Sequence, residues 1–246
     1  MQALSHIGTS GWSYPDWKGL FYPRELKSTD WLAYYASKFK TLEINSSFYH
    51  LPKKNVVENW VNKVPNDFLF CPKMSRYLTH IQKLQEPKNI LEKFFDAFEP
   101  MQGQIGLILL QLPPSVVFDY DIVVNLFAIL KEKYCDNTFA IEARHKSWLA
   151  QESIDLMIKY DIAFVISQSG VGFPYAEFVT SHNVYLRFHG PQKLYDSSYT
   201  ANELKRFAAL INNWMKERHQ VWAFFNNCYH TYAIQNAFTL ETSLNS

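Results

Sequence analysis

Apolar residues in this chain follow two rhythms. Short runs rich in Ile, Leu, Val and Phe alternate with a period of two, and between them lie longer segments whose apolar residues fall three and four apart. The short runs predict strands at His6 to Thr9, Thr41 to Ile44, Phe68 to Cys71, Gly106 to Leu110, Phe139 to Glu142, Ala163 to Ser167, Val184 to Phe188 and Val221 to Phe225. The longer segments predict helices over Thr29 to Phe39, Val56 to Val64, Asn89 to Phe98, Asp121 to Lys131, Gln151 to Tyr160 and Asn202 to Glu217.

Strands alternating with helices are the signature of βα units around a parallel sheet. Eight of them in 246 residues predict an α/β fold, a single (β/α)₈ barrel of the TIM type spanning residues 1–246. A doubly wound open sheet is the alternative. Between the sixth and seventh strands, Gly170, Gly172 and Pro174 argue against a full helix, so one outer helix is expected to be missing or reduced to a turn. No low-complexity tract or linker divides the chain.

Composition narrows the function classes. With 48% hydrophobic and 19% charged residues the chain can build a large core. Lys+Arg 24 against Asp+Glu 23 removes the global electrostatic case for a nucleic-acid or membrane partner. Cys71, Cys135 and Cys228 form no close-spaced pair, which points to a reducing, cytoplasmic setting. Met1 to His6 does not resemble a signal peptide, and the longest apolar stretch, around Ile105 to Leu110, is too short to span a bilayer.

Ligands of such barrels bind at the C-terminal strand ends, and here those ends are polar. Side chains alternate faces along a strand, so Glu43 and Asn45 share the face opposite Leu42 and Ile44. The helix-covered face must be apolar, which turns Glu43 and Asn45 inward. The same parity turns Glu142 and Arg144, then Tyr185, Arg187 and His189, and then Asn226 toward the mouth, with Lys73 and Gln111 completing a polar ring. Three cations, Lys73, Arg144 and Arg187, face two carboxylates, Glu43 and Glu142. A positive excess favours a phosphate or carboxylate ligand.

Paired Glu and Arg layers can equally tie strands together, and for Glu43 and Arg144 that role stands level with ligand binding. Gly190 after His189 would let a ligand approach the backbone. Gly8 to Gly11 could present N–H groups to an anion, but the stretch matches neither the P-loop nor the GxGxxG pattern and a tight turn fits better. Trp12, Tyr14 and Trp17, with Phe48 and Tyr49, could wall the mouth or simply pack. A divalent metal could be assembled from Glu43, Glu142, His145 and His189, but the neighbouring cations would repel it. No cofactor is expected.

Several stretches together resemble a known family. Gly8 to Tyr14, Phe21 to Pro23, Glu43 to Tyr49, Thr79-His80, Gln111 to Pro114, Glu142 to His145 with Trp148, Arg187 to Gly190 and Phe225 to Asn227 are similar, in order and across nearly the whole chain, to the domain-of-unknown-function-72 family. The resemblance implies a barrel like those of sugar isomerases and apurinic endonucleases in a bacterial cytoplasmic protein, and it implies no particular reaction. Ser167-Gln168-Ser169 stands where many members carry an acidic residue, and Thr231 where glycine is usual. The first departure removes a possible metal ligand.

Three functions are therefore expected to compete. The first is an enzyme (a hydrolase, lyase or isomerase) acting on a phosphorylated or carboxylated small molecule. There, Lys73, Arg144 and Arg187 would hold the anion, Glu43 or Glu142 would be the base and His189 the acid. Asn45, Tyr49, Trp12, Gln111, His145 and Asn226 would complete substrate binding. The second is a nucleic-acid-processing barrel with Trp12, Tyr49 and Trp148 stacking on bases. The third is a non-catalytic binder of a small anion in the same pocket.

Overall fold

The computed structural model describes residues 4–170 and 172–245; residues 1–3, at the start of the segment compared above with a signal peptide, lie outside it. Each predicted strand forms within two residues of its expected bounds: β1 Ser5–Thr9, β2 Thr41–Ile44, β3 Leu69–Pro72, β4 Leu107–Gln111, β5 Thr138–Glu142, β6 Ala163–Gln168, β7 Asn183–Phe188 and β8 Gln220–Phe225. The helices are α1 Trp31–Ala36, α2 Ser46–Tyr49, α3 Lys54–Val61, α4 Pro87–Phe98, α5 Tyr120–Lys133, α6 Gln151–Tyr160, α7 Ala201–Lys216 and α8 Tyr232–Leu244. The short α2 and the terminal α8 were not predicted, although Ala233, Ile234, Ala237 and Leu240 of α8 have helical spacing and are buried. Among the described residues between β6 and β7 there is no helix.

The predicted closed eight-stranded barrel does not form. Six strands make a curled parallel sheet, a half-barrel in the order β1-β8-β7-β6-β5-β4, while β2 and β3 form a separate two-stranded ladder. The reason lies at the two seams, where side chains take backbone hydrogen bonds that a ladder would use. Between β1 and β2, the Tyr35 hydroxyl accepts from the Thr9 N–H at 2.9 Å and donates to the Thr41 carbonyl at 3.1 Å. Direct pairing there is a single bridge, Ser10 with Glu43. Between β3 and β4, the Leu107 N–H points at the Cys71 sulfur, 3.4 Å away, and only the bridges Phe70 with Ile105 and Lys73 with Leu109 remain.

Two apolar clusters hold the fold. The larger lies between strands and helices, with fully buried side chains such as Leu42, Phe70, Leu110, Ile141, Leu186 and Phe225. Each such side chain contributes about 1.5–3 kcal/mol by leaving water. The smaller lies on the concave face and is built from strands alone, including Cys71, Leu107, Leu109, Ala140, Val165, Tyr185 and Phe224. Among the described residues no helix contributes to that face, so the doubly wound alternative, with helices on both faces, also fails. Helix ends are fastened locally: Thr200 and Glu203 form a reciprocal capping box at the start of α7, and Asp119 accepts from the Ile122 N–H at the start of α5.

Candidate functional site

The concave-face parity carries forward along each strand. Leu109 is followed by Gln111, Ala140 by Glu142, Val165 by Ser167, Tyr185 by Arg187 and Phe224 by Asn226, so an apolar layer gives way to a polar one at the C-terminal ends. Arg187 is the centre of that polar layer. Its Nε donates to Glu43 Oε2 at 2.9 Å and its Nη2 to Glu43 Oε1 at 2.6 Å, a bidentate fork, while Nη1 donates to Glu142 Oε2. The Tyr185 hydroxyl donates to Glu43 Oε2 at 2.8 Å. Glu142 Oε1 receives Arg144 through Nε at 3.1 Å and Nη2 at 2.8 Å, the Ser167 hydroxyl at 2.9 Å and His189 Nε2 at 3.1 Å.

This network is out of water: Glu43, Glu142 and His189 are 0% exposed and Arg187 is 1% exposed. Burial alone would push the Glu142 carboxyl up, but Arg187, Arg144 and His189 together hold it well below the usual carboxylate range. Burial lowers His189, outweighing the pull of Glu142, which favours the neutral ring. A neutral ring that donates from Nε2 to Glu142 must accept at Nδ1, and the Asn226 amide supplies that donor at 3.1 Å. His189 thereby orients Asn226.

Above the network opens a cavity of about 450 Å³. Of the residues predicted for the site, Asn45, Tyr49, Lys73, Gln111, Arg144, Arg187 and Asn226 line it. Glu43, Glu142 and His189 are not in its lining: Glu43 and Glu142 back Arg187, and His189 backs Glu142. Trp12 packs edge-on against Trp60 at 5.5 Å instead, and His145 uses Nδ1 to accept the Ser147 N–H at 3.2 Å, capping a 3₁₀ turn over Lys146–Leu149. Gly190, with φ +106°, serves its own loop: a Cβ there would lie 2.6 Å from the Lys193 carbonyl oxygen. The N–H groups of Thr9, Ser10 and Gly11 are already bonded to Tyr35, Phe225 and Glu43, which leaves none for an anion.

Lys73 stands apart from the other two cations. It follows β3, where the Ser47 hydroxyl fixes its carbonyl at 2.7 Å, and the residue is 8% exposed at the cavity wall. Its Nζ donates to Gln111 Oε1 at 2.9 Å and sits 3.9 Å from the centre of the Phe48 ring. Gln111 is held in that sense because its own amide donates to the Leu112 carbonyl at 2.7 Å. Among the described residues, no carboxylate lies within ion-pairing distance of Lys73. Burial first, then the charges of Arg187 and Arg144, against the pull of Glu142 and Glu43, push the amine down to about 7.

Several lining residues escaped the sequence reading. Asp16, Tyr195 and Cys228 join Tyr14, already expected near the mouth, in lining the cavity, and Asp16 puts an exposed carboxylate on its rim that the charge count omitted. Phe173, from the segment between β6 and β7, lies flat against Arg144, with the guanidinium carbon 3.5 Å from the ring centre. They come from loops or, for Asp16, from the short 3₁₀ turn Pro15–Trp17, where no period ties a residue to a face. Among the described residues no three His, Cys, Asp or Glu side chains gather as metal ligands, and no helix is long and apolar enough to cross a membrane.

Comparison with known proteins places this architecture. The UPF0759 protein YunF of Bacillus subtilis is 26% identical over 91% of this chain and 89% of its own length. The UPF0759 protein YecE of Escherichia coli is 29% identical over 60% of this chain and 51% of its own. A solved structure of a DUF72 family protein from Thermotoga maritima superposes with a TM-score of 0.86 at 30% identity, covering 99% of this chain and 100% of that one. A second, from Enterococcus faecalis, shares the fold at 21% identity with a TM-score of 0.82, covering 99% of this chain and 96% of that one. The family described as Protein of unknown function DUF72 matches residues 6–246, and the chain belongs to it.

Proposed function

We propose that this protein binds a small anionic molecule, a phosphate or carboxylate, in the cavity above Arg187, with Lys73 and Arg144 as the cations that receive it. The observation that carries this reading is the buried Lys73 amine, which lines the cavity without a carboxylate partner. A buried charge without a counterion is costly, and an incoming anion supplies the missing partner. Arg144 adds a guanidinium fixed on one side by Glu142 and on one face by Phe173. Asn45, Gln111 and Asn226 offer neutral polar groups around the same space.

In this reading Glu43, Glu142 and His189 hold the binding cations and Asn226 in position. Their acceptors and donors are taken by one another, and Arg187, matched by two carboxylates, is the floor of the site rather than its anion clamp.

Calorimetric titration with inorganic phosphate tests the reading. Affinity is expected to fall as pH rises through about 7, where the Lys73 ammonium is lost. Lys73→Met and Arg144→Ala should each weaken binding by about tenfold or more, about 1.4 kcal/mol. Unchanged phosphate affinity in Lys73→Met would show that the anion sits elsewhere.

A further inference from the structure

We infer that Lys73 is a reaction centre: its Nζ condenses with the carbonyl group of an anionic aldehyde or ketone, such as a 2-oxo acid or a phosphorylated oxo compound, whose acid group is received by Arg144. This rests on the anion-binding reading above and deepens it by naming the functional group that the ligand must also carry.

The geometry around Nζ leads there. A lysine kept for packing or for charge would be expected to meet a carboxylate, and the two nearby ones are consumed by Arg187, Arg144 and His189. Lys73 meets instead a neutral amide oxygen and an aromatic face, at 2.9 Å and 3.9 Å. An uncharged amine has two N–H bonds, and these two partners use them. The remaining tetrahedral position is the lone pair, which is left for the cavity that Lys73 lines. Gln111 holds this arrangement because its amide is anchored on Leu112.

The electrostatics agree with the geometry. The charged groups acting on Lys73 are Arg187, Arg144, Glu142 and Glu43, and burial with the two guanidiniums brings the amine to about 7, so that both of its forms are present near neutral pH. His80, whose ring packs on Phe48 at 4.9 Å, is pushed down to about 4 by burial and by Lys73 and so brings no competing charge.

The step balances without a cofactor. The Nζ lone pair forms a C–N bond to the carbonyl carbon, and the C=O π pair becomes a hydroxyl that takes one proton from nitrogen. That hydroxyl then leaves as one water with the second N–H proton, giving C=N. The imine is neutral, or an iminium when a solvent proton is retained, and in that form it withdraws electrons from the neighbouring carbon.

Reductive trapping on the full chain decides the matter. Pyridoxal 5′-phosphate, an anionic aldehyde, and pyruvate, a 2-oxo acid, serve as separate probes with sodium cyanoborohydride, and adducts are located by peptide mass spectrometry. Lys73 should be modified at least tenfold faster than the surface lysines, with inorganic phosphate slowing it and with the yield rising to half its plateau near pH 7. Lys73→Arg should keep phosphate binding and lose the adduct. Adducts confined to surface lysines while phosphate still binds in a Lys73- and Arg144-dependent manner would overturn the imine and leave the anion site standing. Absence of both phosphate binding and Lys73 adducts would overturn the two together.

Discussion

Arg187 and Glu43 meet through two parallel hydrogen bonds, at 2.9 and 2.6 Å, and so join β7 of the curled sheet to β2 of the separate ladder across 144 residues of sequence. Both are buried, so neither partner can turn to water if the other is lost. Arg187→Met should therefore destabilise the fold by about 3–5 kcal/mol, because it strands Glu43 and weakens Glu142. The double variant Arg187→Met/Glu43→Gln should recover about 0.5–3 kcal/mol relative to the sum of the single changes. Urea denaturation of the four proteins measures it, and strict additivity would show that the pair does not couple the two sheets.

Glu142 links stability to pH. Its carboxyl is depressed in the fold by Arg187, Arg144 and His189, which outweigh burial. The unfolded chain then binds the proton more readily. The contribution of Glu142 is fully present above its unfolded value of about 4.3 and is lost as pH falls through the lower folded value. Glu142→Gln should cost about 3 kcal/mol or more at pH 7, and the gap to the native protein should narrow below about pH 4. Denaturation midpoints at pH 7, 5 and 3 test this; a constant gap would contradict it.

Tyr35 tests the account of the seam. Its hydroxyl stands between the Thr9 N–H and the Thr41 carbonyl, and it is buried. Tyr35→Phe leaves both backbone groups without that partner and should cost about 1–3 kcal/mol, with faster hydrogen exchange at the Thr9 amide than at Gly8, whose N–H faces β8. Unaltered protection at Thr9 would mean that the hydroxyl is not what separates β1 from β2.

Phe173 bears on the cavity from a segment with no regular structure. Its ring lies 3.5 Å from the Arg144 guanidinium, an interaction worth about 0.5–2 kcal/mol. Phe173→Ala should loosen Arg144 and weaken phosphate binding by about threefold to tenfold while lowering the thermal midpoint by only a few degrees. A fall in stability without a change in affinity would mean that Phe173 packs but does not position.

Lys73 should show the opposite balance. Its amine is held down at about 7 in the fold and would titrate near 10.4 in the unfolded chain, so below pH 7 the buried ammonium works against folding. Lys73→Met should raise the thermal midpoint by a few degrees at pH 6, about 1–2 kcal/mol, even as phosphate binding weakens. A lower midpoint would mark Lys73 as structural.

The sequence by itself determined which side chains face the concave side. Period-two alternation is local, so the inward placement of Glu43, Glu142 and Arg187 follows from their parity with Leu42, Ile141 and Leu186, which turn to the helices, and needs no knowledge of how the strands pair. It determined the strands for the same reason, and the family through stretches spread from Gly8 to Asn227.

Only the tertiary structure decided how those strands pair and which charges neutralise which. Whether β1 forms a ladder with β2 depends on the reach of Tyr35 from a helix, and whether a cation is spent or free depends on strand register. Both are distances between residues far apart in the chain. That is why Arg187, predicted as an anion clamp, lies clasped by two carboxylates, while Lys73 alone of the three cations is left at the cavity wall without one.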